Sequence, residues 1–230
     1  TDFTETSIDA TDQATDTPTN NFCTMNPLTA SSYSALAEGN TQTNGTSDAD
    51  NGNVISTFVP SNGKWYCESL VETGAPTGYP SVGLAQASDA NFGTVLNSTV
   101  GTAGYNGSTA GVIRPDGQRF SNNSTGSWTD TTYDTDDILM MAMDCDNGAF
   151  YIGKNGTWME SGDPTSGASK TNAFLTWTPA SETGQAFATR DYDTSVLQWN
   201  FGNPTFAISS GNADADGYGN FEYAPPSGYF

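Results

Sequence analysis

Asn212, Asp214 and Asp216, followed by Gly217, set oxygen ligands at alternate positions ahead of a glycine, as a calcium loop opens. The carbonyl of Tyr218 and the side chain of Asn220 would continue the set. Glu222 falls one residue before the last ligand position of such a loop, where Tyr223 stands, and no helical pattern flanks the stretch. The same residues equally suit a polar surface loop, so calcium is an expectation to test, and the only cofactor suggested. Asp144-Cys145-Asp146-Asn147-Gly148 also alternates carboxylates, but no acidic residue follows where a bidentate ligand belongs. Asp146-Asn147-Gly148 is what a tight turn needs, so a hairpin is expected there.

Catalytic chemistry finds little to work with. Glycoside hydrolysis needs two carboxyl groups, one with a raised pKa, and Glu68 and Glu222, each near a strand-like segment, are the glutamates weighed for it. No clustered acidic motif accompanies them. The chain has no histidine, which removes the usual base for a serine nucleophile. Cys23, Cys67 and Cys145 match no zinc spacing and are expected to be structural thiols. No catalytic residue is assigned. Aromatic residues in polar loops suit sugar or protein recognition: Tyr79, Tyr105, Trp128, Tyr133 and Tyr192. Core packing or loop anchoring would explain the same residues. Tyr105, Trp128, Tyr133 and Tyr192 are taken as candidate ligand contacts.

The elements that would carry these residues are short strands. Ile138 to Met143 has no polar residue, which predicts a strand covered on both faces. A short buried helix would also fit the apolarity, but six residues closed by Asn and Gly is a strand length. Asn147-Gly148 and Asn155-Gly156 predict the turns on either side of Ala149 to Gly153, and an Asn-Gly type I′ turn needs positive φ at both central residues. In Lys64 to Thr73, Trp65, Cys67, Ser69 and Val71 fall on one face and Tyr66, Glu68 and Leu70 on the other. Asn53 to Val59, Ser81 to Ala85, Phe174 to Trp177 and Val196 to Phe201 are further strands, the last with Leu197, Trp199 and Phe201 on one face. Gly111 to Arg114 and Gln118 to Phe120 are expected to pair across Pro115-Asp116-Gly117. Gly184 to Asp193 and Gly202 to Gly219 are expected to be loops.

The 230 residues carry a net charge of −20, with six lysines and arginines against 26 acidic residues. That field disfavours nucleic acid and anionic membrane as partners, since phosphate contacts need Lys and Arg. No apolar run nears the ~20 residues of a membrane helix, so no membrane insertion is expected. Residues 1 to 20 are rich in Thr and Asp with few apolar anchors, which suggests an extended attachment arm. Residues 21 to 230 then form one domain, and many short strands at turn spacing predict an all-β sandwich.

Several motifs occur in an order that resembles the SPRY (B30.2-like) domain. They are Gly63-Lys64-Trp65-Tyr66, Ser81 to Ala85, Asp136 to Trp158, Asn200-Phe201-Gly202 and Ala224 to Tyr229. With the lead-in Thr17 to Leu28, they are more narrowly similar to the version in virion proteins of tailed bacteriophages. Cys67 stands where the family usually has Trp, and the loops at 101 to 135 and 178 to 195 are long. The resemblance implies a concanavalin-like sandwich of two antiparallel sheets, no catalysis, and binding through edge loops. It further implies a structural protein on the virion exterior, a tail fibre or capsid fibre or decoration protein. Its partners would be other virion proteins or a host-surface glycan or receptor, and virion architecture suggests a homo-oligomer or symmetric assembly. The alternative is a lectin-like carbohydrate-binding module of a secreted microbial protein.

Overall fold

Strand Ile138–Asp144 lies near the middle of the larger of two antiparallel sheets, and its side chains alternate between two apolar layers. The structure, a computed structural model, describes residues 21–86, 110–121, 124–127, 132–179 and 184–230. The strands in chain order are β1 (Ser34–Ala37), β2 (Gln42–Gly45), β3 (Ser47–Ile55), β4 (Lys64–Thr73), β5 (Ser81–Gln86), β6 (Ala110–Ile113) and β7 (Gln118–Ser121). They continue as β8 (Ser124–Ser127), β9 (Ile138–Asp144), β10 (Ala149–Lys154), β11 (Thr157–Trp158), β12 (Leu175–Thr176), β13 (Gln185–Asp193) and β14 (Val196–Asn200). Among the described residues, one sheet runs β1-β2-β14-β4-β9-β10-β11, with β12 also on β10, and the other runs β3-β13-β5-β6-β7-β8. Every strand pairing is antiparallel. This is a concanavalin-like two-sheet sandwich.

Leu139, Met141 and Met143 of β9, with Phe150 and Ile152 of β10, face the second sheet and join Leu84, Ile113, Phe187 and Trp199 in the main core. Met140, Ala142, Ala149 and Tyr151 point the other way, where Phe221 and Tyr229 cover them. The apolar run of β9 is therefore buried on both sides, once by a sheet and once by the C-terminal segment. That segment is held like an extra strand. Tyr66 N–H donates to the Phe230 carbonyl (2.7 Å), and Phe230 N–H to the Lys64 carbonyl (2.9 Å). On β4, Cys67 and Val71 sit in the main core and Tyr66 under the C-terminal segment, as the alternation requires.

The two Asn-Gly pairs differ. Asn155 and Gly156 both take positive φ (48° and 83°) between the paired residues Lys154 and Thr157, so the two-residue turn forms there. At the β9–β10 hairpin, Asp144 pairs with Ala149 and four residues lie between. Only Gly148 has positive φ. The Asp144 carboxylate accepts the Asn147 N–H (3.0 Å) and side-chain amide (2.8 Å) and shapes this longer turn. Asp146 Oδ1 accepts the Gly63 N–H (2.8 Å), which ties the turn to the start of β4. The acidic alternation thus serves the hairpin.

The expected hairpin across Pro115-Asp116-Gly117 is present, with Ile113 opposite Arg119. Two expectations need correcting. Gly184 to Asp193 is not a loop: Gln185–Asp193 is strand β13, bonded to β3 on one side and β5 on the other. Its Gln185, Thr189, Arg190 and Asp191 are buried despite their polarity, so hydropathy hides a central strand. The strand expected over Asn53 to Val59 instead runs from Ser47 to Ile55. The proposed arm, residues 1 to 20, lies outside the described residues.

Candidate aromatic pocket

The chain enters the described structure at Asn21-Phe22-Cys23 and ends at Phe230, and both stretches line one pocket of about 370 Å³. Five further stretches complete the wall. Thr57 and Phe58 follow β3, Trp65 and Tyr66 open β4, Phe187 lies on β13, Phe201 just follows β14, and Asp214, Tyr218, Gly219 and Phe221 come from the loop before the C-terminus. Among the described residues, no lysine or arginine lines it.

Its aromatic wall is built by contact. Phe58 meets Trp65 edge-on with ring centroids 4.5 Å apart, and Phe230 lies 6.0 Å from the same indole. The Trp65 indole N–H donates to the Asn62 carbonyl (2.7 Å), which fixes the ring without using a pocket group. Tyr66 and Phe221 pack edge-on at 5.2 Å, and Phe201 stacks on buried Trp199 at 5.8 Å. Offset and edge-on pairs of this kind add roughly 0.5–1.5 kcal/mol beyond area burial. Phe58, Tyr218 and Phe230 remain 40%, 56% and 37% exposed. Large exposed aromatics gathered at one pocket are what a binding site leaves open.

Glycines allow the walls to close. Gly202 has φ +108°, and a Cβ there would lie 2.6 Å from the Phe22 ring. Its Cα also limits Gly219, and the Asn220 N–H donates to the Gly202 carbonyl (3.0 Å). The Asn200-Phe201-Gly202 motif thus brings β14, the lead-in and the C-terminal loop together. Asn200 adds a carboxamide that donates to Glu68 Oε2 (3.0 Å) and to the Asn220 carbonyl (3.0 Å).

Beneath the pocket, Glu68 is fully buried. Oε1 accepts the Tyr66 hydroxyl (2.9 Å) and the Tyr223 N–H (2.7 Å), and Oε2 accepts Asn200 Nδ2 and the Glu222 N–H (3.0 Å). Burial pushes its carboxyl up and these hydrogen bonds pull it back. A carboxylate so enclosed has no surface for substrate. The Glu222 carboxylate lies outside and accepts the Ser209 N–H (2.6 Å) and hydroxyl (2.5 Å), which hold it below its ordinary value. The two glutamates meet only through the Glu222 backbone, so the structure does not make them a catalytic pair.

The proposed calcium ligands are spread over separate tasks. Asp214 Oδ1 accepts the N–H groups of Asp216 (2.9 Å) and Tyr218 (2.8 Å), closing the turn around Gly217. Asn212 pairs its backbone with Phe221 and donates its amide to the Glu222 carbonyl (2.9 Å). Tyr218 projects its ring into the pocket, and the Asn220 N–H is held by Gly202. Among the described residues, no three Asp, Glu or Cys side chains gather at one point. Asp214→Ala is therefore expected to lower Tm by about 2–4 °C, equally in EDTA and in millimolar calcium. A calcium-dependent rise in the parent's Tm, lost in this variant, would establish the cation site instead.

Of the candidate recognition aromatics, Tyr79 and Tyr133 do not line this pocket. Tyr105 and Trp128 fall outside the described residues. Tyr192 is on strand β13 opposite Asn51, with only its backbone described. Tyr133 is a correction: it is buried in the main core, its hydroxyl shared between the carbonyls of Pro80 (2.6 Å) and Ile113 (2.9 Å). Burial pushes that phenol well up, and its two hydrogen bonds anchor the loop before β9, away from the surface. Tyr79 is half-buried under the Arg114 guanidinium, 3.8 Å from its ring centroid. The pocket residues Phe22, Phe58 and Phe230 were not singled out by sequence, because each is an isolated aromatic beside a turn or terminus.

No protein-family model matches the sequence, and no curated protein matches it. Solved structures do. The SPRY domain of human HERC1 superposes with a TM-score of 0.56 and 11% identity, over 76% of this chain and 96% of that one. The fold is that of a SPRY domain. A human SPRY domain (TM-score 0.49, 14% identity, 77% and 98% covered) and stonustoxin (0.49, 17%, 78% and 27%) are also similar. In this SPRY fold the Gly63 to Tyr66, Asp136 to Trp158 and Asn200 to Gly202 motifs occupy β4, the β9–β11 hairpins and the end of β14. No helix among the described residues is long and apolar enough to cross a membrane.

Proposed function

We propose that the chain is a non-enzymatic recognition and assembly module on the exterior of a tailed-phage particle, as a tail fibre or a capsid fibre or decoration protein. The pocket where the lead-in and the C-terminus converge carries this reading, because its exposed aromatics offer a preformed docking site. Its occupant is a protein neighbour, a virion protein or a host-surface receptor. The order of the SPRY-like motifs supports the phage setting, and symmetric assembly follows from the same setting. The enclosure of Glu68 and the absence of histidine favour binding over catalysis.

The experiment is a photo-crosslinker, p-benzoylphenylalanine, placed at position 218 of the chain on purified particles. Crosslinking to one defined virion protein, or to one host envelope protein upon adsorption, is the expected result. Absence of the chain from purified particles would overturn the virion reading. Selective binding on a glycan array, without any protein crosslink, would replace it with the lectin-like one.

A further inference from the structure

We propose that the pocket takes a cationic side chain, an arginine of a basic segment on the protein partner. The inference rests on the docking role just given and names what docks. Trp65, Phe58, Phe230 and Tyr218 present aromatic rings to the pocket, and the negative π-face of an aromatic ring attracts a cation. A planar guanidinium stacks on such rings better than an ammonium does. Among the described residues, Asp214 supplies the one carboxylate of the wall and no cationic side chain lines it. Its Oδ1 is taken by the loop, and among the described residues no donor is paired with Oδ2. Lys64, next to Trp65, points to the other face of β4, where it pairs with Asp144 at 3.4 Å.

The surrounding field has the same sign. A net charge of −20 draws a basic segment towards the molecule and opposes an acidic one. The chain's own residues 1 to 20, with five acidic residues and no Lys or Arg, are by that measure a poor occupant.

The test uses the whole chain and three short neutral-ended peptides that differ only at the central residue: arginine, its uncharged isostere citrulline, or norleucine. The readout is the Trp65 indole N–H resonance, assigned by Trp65→Phe. The arginine peptide is expected to shift it and to bind at least about tenfold more tightly than the citrulline peptide. Half-molar salt should weaken the arginine peptide alone. Tyr218→Ala, an exposed position whose Tm should not change, is expected to weaken it by about tenfold. Norleucine or citrulline binding as well as arginine would overturn the cationic inference and leave the docking reading standing. No shift with any peptide would overturn both.

Discussion

Glu68→Ala is expected to cost about 4–6 kcal/mol, the largest loss from any single truncation considered. The side chain is fully buried and accepts four hydrogen bonds, from Tyr66, Asn200, and the backbone N–H groups of Glu222 and Tyr223. Alanine would leave those donors facing a cavity, and each orphaned buried donor costs about 1–3 kcal/mol before relaxation. The bonds are also what fastens the segment carrying Phe221 and Tyr229 over the outer face of β9. Its release would expose Met140 and Tyr151 as well. Glu68→Gln keeps the volume and one acceptor but points an amide at two donors, so about 2 kcal/mol is expected. Urea midpoints at pH 7 measure both, and proteolysis between residues 221 and 230 should accelerate in the alanine variant. A Glu68→Ala midpoint within about 1 kcal/mol of the parent would show that the segment is held by its aromatics and by the backbone bonds of Phe230.

Asp191 should make the protein more stable in mild acid than at neutral pH. The carboxyl lies between the sheets on β13, fully buried, 2.8 Å from the Thr189 hydroxyl and 3.5 Å from Thr43 on β2. Among the described residues, no cation pairs with it. Burial pushes its pKa up from 3.8 to about 7, against hydrogen bonds from Thr189 and Thr43 that lower it. In the unfolded chain the group titrates near 3.9. Below that value both states are protonated and no cost arises. Between about pH 4 and 7 the folded state holds the extra proton, so stability falls as pH rises. Above pH 7 the whole penalty is present, about 4 kcal/mol at most at 1.36 kcal/mol per unit. The buried Glu68 carboxyl is also pushed up and adds to the same slope. Asp191→Asn is expected to remove most of the slope and to raise stability above pH 7, measured as denaturant midpoints at pH 5, 6, 7 and 8. An unchanged slope in the variant would place the titrating group elsewhere.

The positions of these two carboxylates mark how far the sequence could be followed. Glu68 was visible on the Tyr66 face of β4 by alternation alone, and β9 declared its two covered faces through six apolar residues in a row. Both signals are local, because side-chain direction in a strand has period two. Strand β13 sent no such signal. Two of its buried polar residues, Thr189 and Asp191, bond to each other, and Thr43 reaches Asp191 Oδ1 across the sandwich, a pairing between residues 43 and 191 that no window contains. Tyr133 was legible as an aromatic but not as a buried one, since its two carbonyl partners come from Pro80 and Ile113.

The sequence by itself determined the fold class, the antiparallel hairpins around β9, and a surface field of one sign. Those follow from periodicity, turn chemistry and charge, which are properties of neighbouring residues or of the sum. Which residues form the aromatic pocket depends on the tertiary structure alone. The pocket draws on Phe22, Phe58, Trp65, Tyr218 and Phe230, which lie up to the full length of the domain apart in sequence. They meet because β4 and β14 are neighbours, and because Gly202 and Gly219 let their loops touch without a Cβ between them. The same closure explains why the Asp214 to Tyr218 turn, which has the composition of a cation loop, became a wall of an aromatic site. One oxygen of its carboxylate, Oδ1, is taken by backbone N–H groups that only the folded loop brings within reach.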